Sequence, residues 1–381
     1  MRKNAAALLL PLLVLLALVA VGCRNSAAYR IGCIAPLTGE GNYGRSTRQG
    51  VELALSEINA SHYLSRPLEV IFEDDRMTPR EGVNALRKLI SANKVPVVIG
   101  PFGSSVVLAC APIANENKTV IISASATADS IADAGDYVFR ITPPNSKQGI
   151  DVANFLSQKL HLKTAAIIYQ TNDYGVSLRD AFSRRFKELG GSVAAVEAVD
   201  SGATDLRAQV LRLKAANPQG IFFPLHYGES GLFLKQASDL GLAAAFISAD
   251  GAMTDGTLKI AGSSAEGSYY STLALAYGVS DHEIQEFMTH FRARYGSDTD
   301  VYAAYYYEAT RIIAQALKEV GADANAIKSY LYRLHGPMSY KGITGTTSFD
   351  AKGEVDKDFL IYVVKNGHFV LADSVLPKKA I

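Results

Sequence analysis

Val95-Pro96-Val97-Val98-Ile99-Gly100-Pro101-Phe102-Gly103-Ser104-Ser105 and, one helix-length later, Thr119-Val120-Ile121-Ile122-Ser123-Ala124-Ser125-Ala126-Thr127 decide the reading of this chain. Each is a short apolar run rich in Val and Ile that breaks at small and hydroxyl residues, the pattern of a buried strand meeting a turn. In a parallel sheet, neighbouring turns of this kind open at the same carboxyl edge. Two helix N-termini and the hydroxyls of Ser104, Ser125 and Thr127 then converge there, an arrangement that suits a carboxylate. Ser104 and Thr127 also have an ordinary use as helix N-caps. Their joint occurrence on successive turns of one sheet favours binding.

Outward from this pair the same alternation continues. Candidate strands are Arg30 to Ala35, Leu68 to Phe72, Val95 to Ile99, Thr119 to Ile122 and Tyr137 to Arg140, with amphipathic stretches such as Val51, Leu55, Ile58 and Val83, Leu86, Leu89, Ile90 between them. That order predicts an α/β class with parallel sheets. After Thr142-Pro143-Pro144 the scheme restarts with Ala165 to Tyr169, Ser192 to Ala198, Gly220 to Phe223 and Ala245 to Ser248. The restart carries an echo: the first strand leads into Asn42-Tyr43-Gly44 and a helix, and Ala165 to Tyr169 leads into Asp173-Tyr174-Gly175 and a helix. Two lobes of like topology, each presenting a loop tyrosine at its carboxyl edge, would face one another across a cleft.

The amino terminus is read as an export signal. Arg2 and Lys3 precede the uncharged run Ala5 to Val21, which ends at Gly22-Cys23. The expected outcome is a cleaved lipoprotein signal with Cys23 as the acylated first residue; an uncleaved anchor and simple secretion are the alternatives, and all three place the body outside the cytoplasm. With 38 Lys and Arg against 37 Asp and Glu the formal charge is +1, and losing Arg2 and Lys3 makes it −1. No basic stripe or tail accompanies this neutrality, so nucleic acid is not expected as a partner. Cys33, in an apolar strand, and Cys110, on an apolar helix face, read as buried thiols, although an extracytoplasmic compartment also permits them to pair.

Enzymatic motifs are weak or missing. Gly39-Glu40-Gly41-Asn42-Tyr43-Gly44 spells a dinucleotide-binding fingerprint, but Pro36-Leu37-Thr38 intervenes between the strand and its first glycine. The acidic cluster Glu73-Asp74-Asp75 also comes about ten residues late for a ribose partner. There is no G-x-S-x-G, His-Glu-x-x-His or Cys-x-x-Cys, and the histidines lack metal-ligand spacing. The chain is therefore expected to be a non-enzymatic binder with no cofactor and no metal, with a nucleotide-dependent oxidoreductase as a remote alternative.

From Tyr29 to about Phe369 the chain resembles the leucine/isoleucine/valine-binding family of type I periplasmic binding proteins. The resemblance rests on Ala35-Pro36-Leu37-Thr38-Gly39, Tyr43-Gly44, Glu57-Ile58-Asn59, Asp74-Asp75, Ile99-Gly100-Pro101, Ser104-Ser105, Ser125-Ala126-Thr127, Asp173-Tyr174-Gly175 and Phe349-Asp350, in that order. It implies the type I periplasmic binding fold, two doubly wound parallel-sheet lobes joined by a three-strand hinge. The crossovers are expected near Thr142 to Asn145, Ser271 to Leu273 and Thr347 to Phe349. Residues 1–22 would be the signal peptide, 23–28 a lipid-anchored linker, 29–143 and 275–346 lobe one, and 144–274 and 347–381 lobe two.

The resemblance also implies roles. Ser104 and Thr127 would hold a ligand carboxylate, while Asp250, aided by the Ser125 carbonyl, would meet its ammonium. Tyr174 would close over the ligand from lobe two, with His226 or Tyr227 as a further aromatic contact there. Tyr43, Phe102, Gly103 and Tyr302 would surround the tail, a pocket suited to branched aliphatic or aromatic side chains. Glu229 is read as a solvated charge at a helix start. Some members of the family brace this wall with a disulfide between the loop after Asp75 and the turn at Gly103, and this chain has neither cysteine. The implied protein is a monomeric, membrane-anchored capture protein that delivers an amino acid to the membrane permease of an ABC transporter. A sensor of the same fold, or a binder of an amide or a small carboxylic or aromatic acid, remains the alternative.

Overall fold

The computed structural model describes residues 28–39, 41–273 and 282–372. The first sheet holds β1 (Tyr29–Ala35), β2 (Leu68–Asp74), β3 (Val97–Ile99), β4 (Val120–Ser123) and β5 (Val138–Arg140), all parallel in the order β2-β1-β3-β4-β5. The chain winds outward from β1 in both directions, so the connections after β1 and β3 separate at the carboxyl edge and leave a crevice there.

Both faces of this sheet are covered. One carries α1 (Gly41–Ala60), and the other carries α2 (Pro79–Ser91) and α3 (Ser104–Asn117), whose Leu86, Leu89, Val106, Val107 and Cys110 are buried against Ile34, Val98 and Ile121. Cys33 and Cys110 are free, buried thiols in separate layers of this core.

The second sheet repeats the plan. After α4 (Asn145–Asn154) come β6 (Thr164–Gln170), α5 (Asp173–Glu188), β7 (Ser192–Val199), α6 (Arg207–Ala215), β8 (Gly220–Phe222), α7 (Tyr227–Asp239), β9 (Ala245–Ser248), α8 (Asp255–Ala261) and β10 (Tyr269–Leu273). Parallel pairing in the order β10-β9-β8-β6-β7 reproduces the first sheet's winding strand for strand. The internal echo read from the sequence is thus a repeat of topology.

The chain then returns to the first sheet through α9 (His282–Tyr295), α10 (Val301–Val320) and α11 (Ala324–Arg333). Helix α10 lies against α1 so closely that a Cβ on Gly50 would stand 2.0 Å from the Ala303 carbonyl oxygen, so only glycine permits this approach. A hairpin of β11 (Tyr340–Gly342) and β12 (Gly345–Thr347) follows, and the antiparallel β13 (Phe359–Lys365) and β14 (His368–Leu371) complete the second sheet.

The third crossing comes later than the sequence reading placed it. Phe349 packs edge-on against Phe139 at 5.3 Å, the Arg140 N–H donates to the Gly353 carbonyl at 3.1 Å, and Val355 is still in the first lobe's core. Only at Phe359 does the chain join the second sheet. Just before that point Lys357 is buried on Glu308 of α10 at 3.0 Å, and Glu308 also accepts from the Thr344 N–H and from the Thr344 and Thr347 hydroxyls. The charged stretch after Phe349 stays on the first lobe because Phe139 and this buried pair hold it there.

Candidate functional site

The carboxyl edges of the two sheets face each other across a small cavity, partly open to solvent, lined by Met77, Phe102, Gly103, Ser104, Ser125, Tyr174, His226, Asp250 and Gly251. Ser104 opens α3, yet the N-cap of that helix is Gly103 and makes no side-chain cap bond. The Ser104 hydroxyl oxygen instead reaches across to the next turn and accepts from the backbone N–H groups of Thr127 and Ala128, at 3.2 and 3.1 Å. That leaves its proton free to donate toward the cavity it lines. Ser125 donates to the Phe102 carbonyl at 2.8 Å and meets the Tyr306 hydroxyl at 2.9 Å. Thr127 sits behind Ser104, fully buried, with a hydroxyl that has no partner among the described residues.

Asp250 begins a short 3₁₀ turn after β9 and is 2% exposed. The Tyr174 hydroxyl donates to one of its carboxylate oxygens at 3.2 Å, and the Tyr302 hydroxyl of lobe one to the other at 3.4 Å. Burial pushes its pKa up to about 6, against the hydrogen bonds from Tyr174, Gln148 and Tyr302 that favour the charged form. Both phenols are held well above the ordinary tyrosine range, by burial first and by the Asp250 charge second. The Tyr174 oxygen accepts from the Gly251 N–H at 3.0 Å, which fixes the turn that carries Asp250.

Aromatic rings close the remaining sides. Tyr43 stacks on Phe102 at 4.6 Å and meets Tyr302 edge-on at 5.5 Å. From the other lobe His226 and Tyr227 present their edges to Tyr43 at 5.9 and 5.2 Å, and His226 stacks on Tyr174 at 5.5 Å. The Tyr43 hydroxyl donates to the Gly251 carbonyl and accepts from the Tyr227 N–H at 3.1 Å, so this single residue bridges the lobes. His226 is the member of its pair that lines the cavity. Burial lowers its pKa, with Glu229 pulling the other way.

Every candidate within the described residues therefore falls in or against one cavity. Cys23 lies outside the described residues. Glu229 corrects the sequence reading: it is buried, accepting from Gln170 Nε2 at 3.1 Å and from the Gly202 N–H at 2.6 Å, because α7 starts beneath the β6 edge and not on the surface. Met77, Gln148 and Gly251 were not anticipated. For Met77 the available signal was its place beside the expected brace position; for Gln148, a polar residue on a buried helix face, no sequence signal existed.

Outside the cavity, two further pairs span the lobes. Ser105 Oγ donates to Asp173 Oδ2 at 2.5 Å, and Ser177 Oγ donates to Asp129 Oδ2 at 2.9 Å. Among the described residues no cluster of His, Cys, Asp and Glu is arranged to hold a metal, and no helix is long and apolar enough to cross a membrane.

Residues 28–368 match the periplasmic binding protein family. The chain belongs to that family. This periplasmic binding protein is 29% identical over 343 residues to the Leu/Ile/Val-binding protein homolog 2 of Brucella abortus, covering 89% of this chain and 91% of the relative. It is 28% identical over 338 residues to the leucine-, isoleucine-, valine-, threonine- and alanine-binding protein of Pseudomonas aeruginosa, covering 87% and 89%. Among solved structures, the leucine-binding protein LivK of Thermotoga maritima matches with a TM-score of 0.85 at 27% identity, covering 91% of this chain and all of that one. The branched-chain amino acid transporter substrate-binding protein LivJ of Streptococcus pneumoniae, solved with isoleucine, matches with a TM-score of 0.84 at 27% identity, covering 90% and 97%. Both solved structures share the fold of this chain over nine-tenths of its length.

Proposed function

We propose that this periplasmic binding protein captures a branched-chain-type amino acid between its lobes and presents it to an ABC permease. The observation that carries the reading is Asp250, a buried carboxylate on one lobe opposite the Ser104 hydroxyl on the other. A zwitterion fits between such groups: its carboxylate meets Ser104 and the N-terminal end of α3, and its ammonium meets Asp250. Buried charge is tolerated when paired and hydrogen-bonded, and Asp250 already has the two phenols as hydrogen-bond donors, so a cation is the partner it lacks among the described residues. Met77, Phe102 and the rings of Tyr43 and Tyr302 supply an apolar surround for the tail.

In the proposed mechanism ligand first meets the Ser104 turn of lobe one. Closure then brings Asp250, Tyr174 and His226 over it, and the Tyr43, Tyr302 and Ser105 bonds to lobe two lock the lobes. Micromolar capture needs about 8 kcal/mol net, within reach of a charge pair, several charge-assisted hydrogen bonds and one buried aliphatic tail. The permease partner, the periplasmic or cell-surface location and lipid attachment at Cys23 belong to the same proposal. A thermal-shift and calorimetric panel of amino acids tests it: leucine, isoleucine or valine should stabilise the protein, and stabilisation by none of them refutes the reading. Metabolic labelling with a fatty acid, lost in Cys23→Ala, tests the anchor.

A further inference from the structure

We propose that Met77 sets the size of the side chain this site accepts, a step that rests on the amino-acid reading above for the ligand's class but not for the residue's place. Met77 follows β2 in a turn where both Arg76 and Met77 have left-handed backbone, φ 48° and 58°. Its N–H donates to Asp75 Oδ1 at 2.8 Å, so a buried carboxylate fixes the backbone from which the side chain springs. The side chain runs over the Phe102-Gly103 turn. A Cβ on Gly103 would stand only 2.9 Å from Met77 Sδ, so the glycine and the thioether are fitted to one another and together make this wall of the cavity. It is the place where the resemblance allows a disulfide brace, occupied here by a side chain with three rotatable bonds.

The other lining residues are committed. Ser104, Ser125, Tyr174, Asp250 and Gly251 are held in the hydrogen bonds already described. Phe102 is clamped between Tyr43 at 4.6 Å, Tyr302 at 4.9 Å and Tyr306 at 6.1 Å. His226 is stacked on Tyr174. Met77 is half-buried and is the flexible aliphatic group among the residues that line the cavity. With the lobes in this arrangement little free space is left between these residues. Met77 in place therefore favours a branched aliphatic tail over an aromatic ring, and shortening it opens room on the side where nothing else must move.

The test is calorimetry on the wild-type protein, Met77→Ala and Met77→Leu with two matched pairs, leucine with phenylalanine and their deaminated counterparts 4-methylpentanoate with 3-phenylpropanoate. Met77→Ala should shift the aliphatic-to-aromatic affinity ratio toward the aromatic member by at least about tenfold, the scale on which a few methylenes in an apolar pocket discriminate. Met77→Leu should keep the wild-type order. An unchanged ratio in Met77→Ala, in a variant that melts like the wild type, overturns the proposal. The head group is read separately: binding confined to the deaminated pair refutes the amino-acid reading while the tail ratio within that pair still judges Met77, and binding of neither pair refutes both.

Discussion

Replacing Asp250 with Asn should make the ligand-free protein more stable and its capture of amino acids much weaker. The carboxyl pKa is pushed up to about 6 in the folded protein, against about 3.9 in an unfolded chain, a difference of roughly 2 units or about 3 kcal/mol. A raised carboxyl pKa means that the folded state holds its proton more tightly than the unfolded chain. The contribution is therefore fully present below about pH 4 and lost as pH climbs through 6, so at pH 7.5 the ionised side chain costs up to about 3 kcal/mol. The amide of the variant keeps the shape and carries no charge. Closed ligand-free protein carries the whole of that cost and open protein little of it, so chemical denaturation of the ligand-free variant should show a gain at pH 7.5 that has this figure as its ceiling, and almost none at pH 4.

Ligand binding should move the other way. Removing one member of a buried charge pair costs about 3 to 5 kcal/mol, so leucine affinity in Asp250→Asn should fall between about a hundredfold and a few thousandfold. The deaminated analogue 4-methylpentanoate has no ammonium and should lose nothing. In the wild type, leucine affinity should drop about tenfold per pH unit below 6, where Asp250 takes up its proton, and the Asp250→Asn variant should be flat over that range. Calorimetry at pH 5 and 7.5 checks all of this. Equal losses for leucine and for its analogue would refute the assignment of Asp250 to the ammonium.

Three further outcomes follow from other parts of the structure. Ser105→Ala and Ser177→Ala each remove two interlobe hydrogen bonds outside the cavity, one of them to a carboxylate, together worth about 2 kcal/mol, so each should weaken leucine, isoleucine and valine by the same factor of about thirty in calorimetry; a change in their order would refute a pure closure role. Lys357→Met leaves Glu308 buried without its cation and should cost about 3 kcal/mol in denaturant unfolding, while adding Glu308→Gln, which can still accept from Thr344 and Thr347, should recover part of that loss. Asp75 is fully buried, with a pKa pushed up to about 7 by desolvation and one oxygen lacking a partner among the described residues. Asp75→Asn should therefore raise stability at pH 8 by about 2 kcal/mol, the cost of the buried charge less that of an unpaired amide, with the gap closing below pH 5 when melts are compared.

The alternation of short Val- and Ile-rich runs with amphipathic stretches made the sheets legible, because a strand buried on both faces must be apolar throughout. The Tyr43 and Tyr174 loops were legible for the same reason, since each follows a strand of that kind. The late crossing at Phe359 was not, because what holds residues 349–355 to lobe one is a tertiary contact with Phe139 and a buried ion pair whose members, Glu308 and Lys357, are 49 residues apart. Glu229 misled for a related reason. A carboxylate in a first helical turn is usually solvated, and only the approach of Gln170 and Gly202 from other elements buries this one. Met77 was hidden because the resemblance that put Phe102 and Gly103 around the tail carried no information about which side of the Gly103 turn the Met77 side chain would cover.

The lobe-bridging contacts fall into two kinds with opposite consequences for closure. Ser105 with Asp173, Ser177 with Asp129, and Tyr43 with Gly251 reward closure whether or not anything is bound. Asp250 penalises it, because closing the lobes strips water from a carboxylate whose partners among the described residues are neutral phenols and an amide. A penalty of about 3 kcal/mol at neutral pH lowers the closed population by roughly a hundredfold relative to a neutral residue at this position. A ligand ammonium placed on Asp250 removes that penalty and gains the pair, so the same carboxylate that weakens the empty closed form makes the filled one favourable. On this account the acid does more than recognise a charge: it makes closure conditional on cargo, which is what a protein that signals its loaded state to a partner by its shape requires.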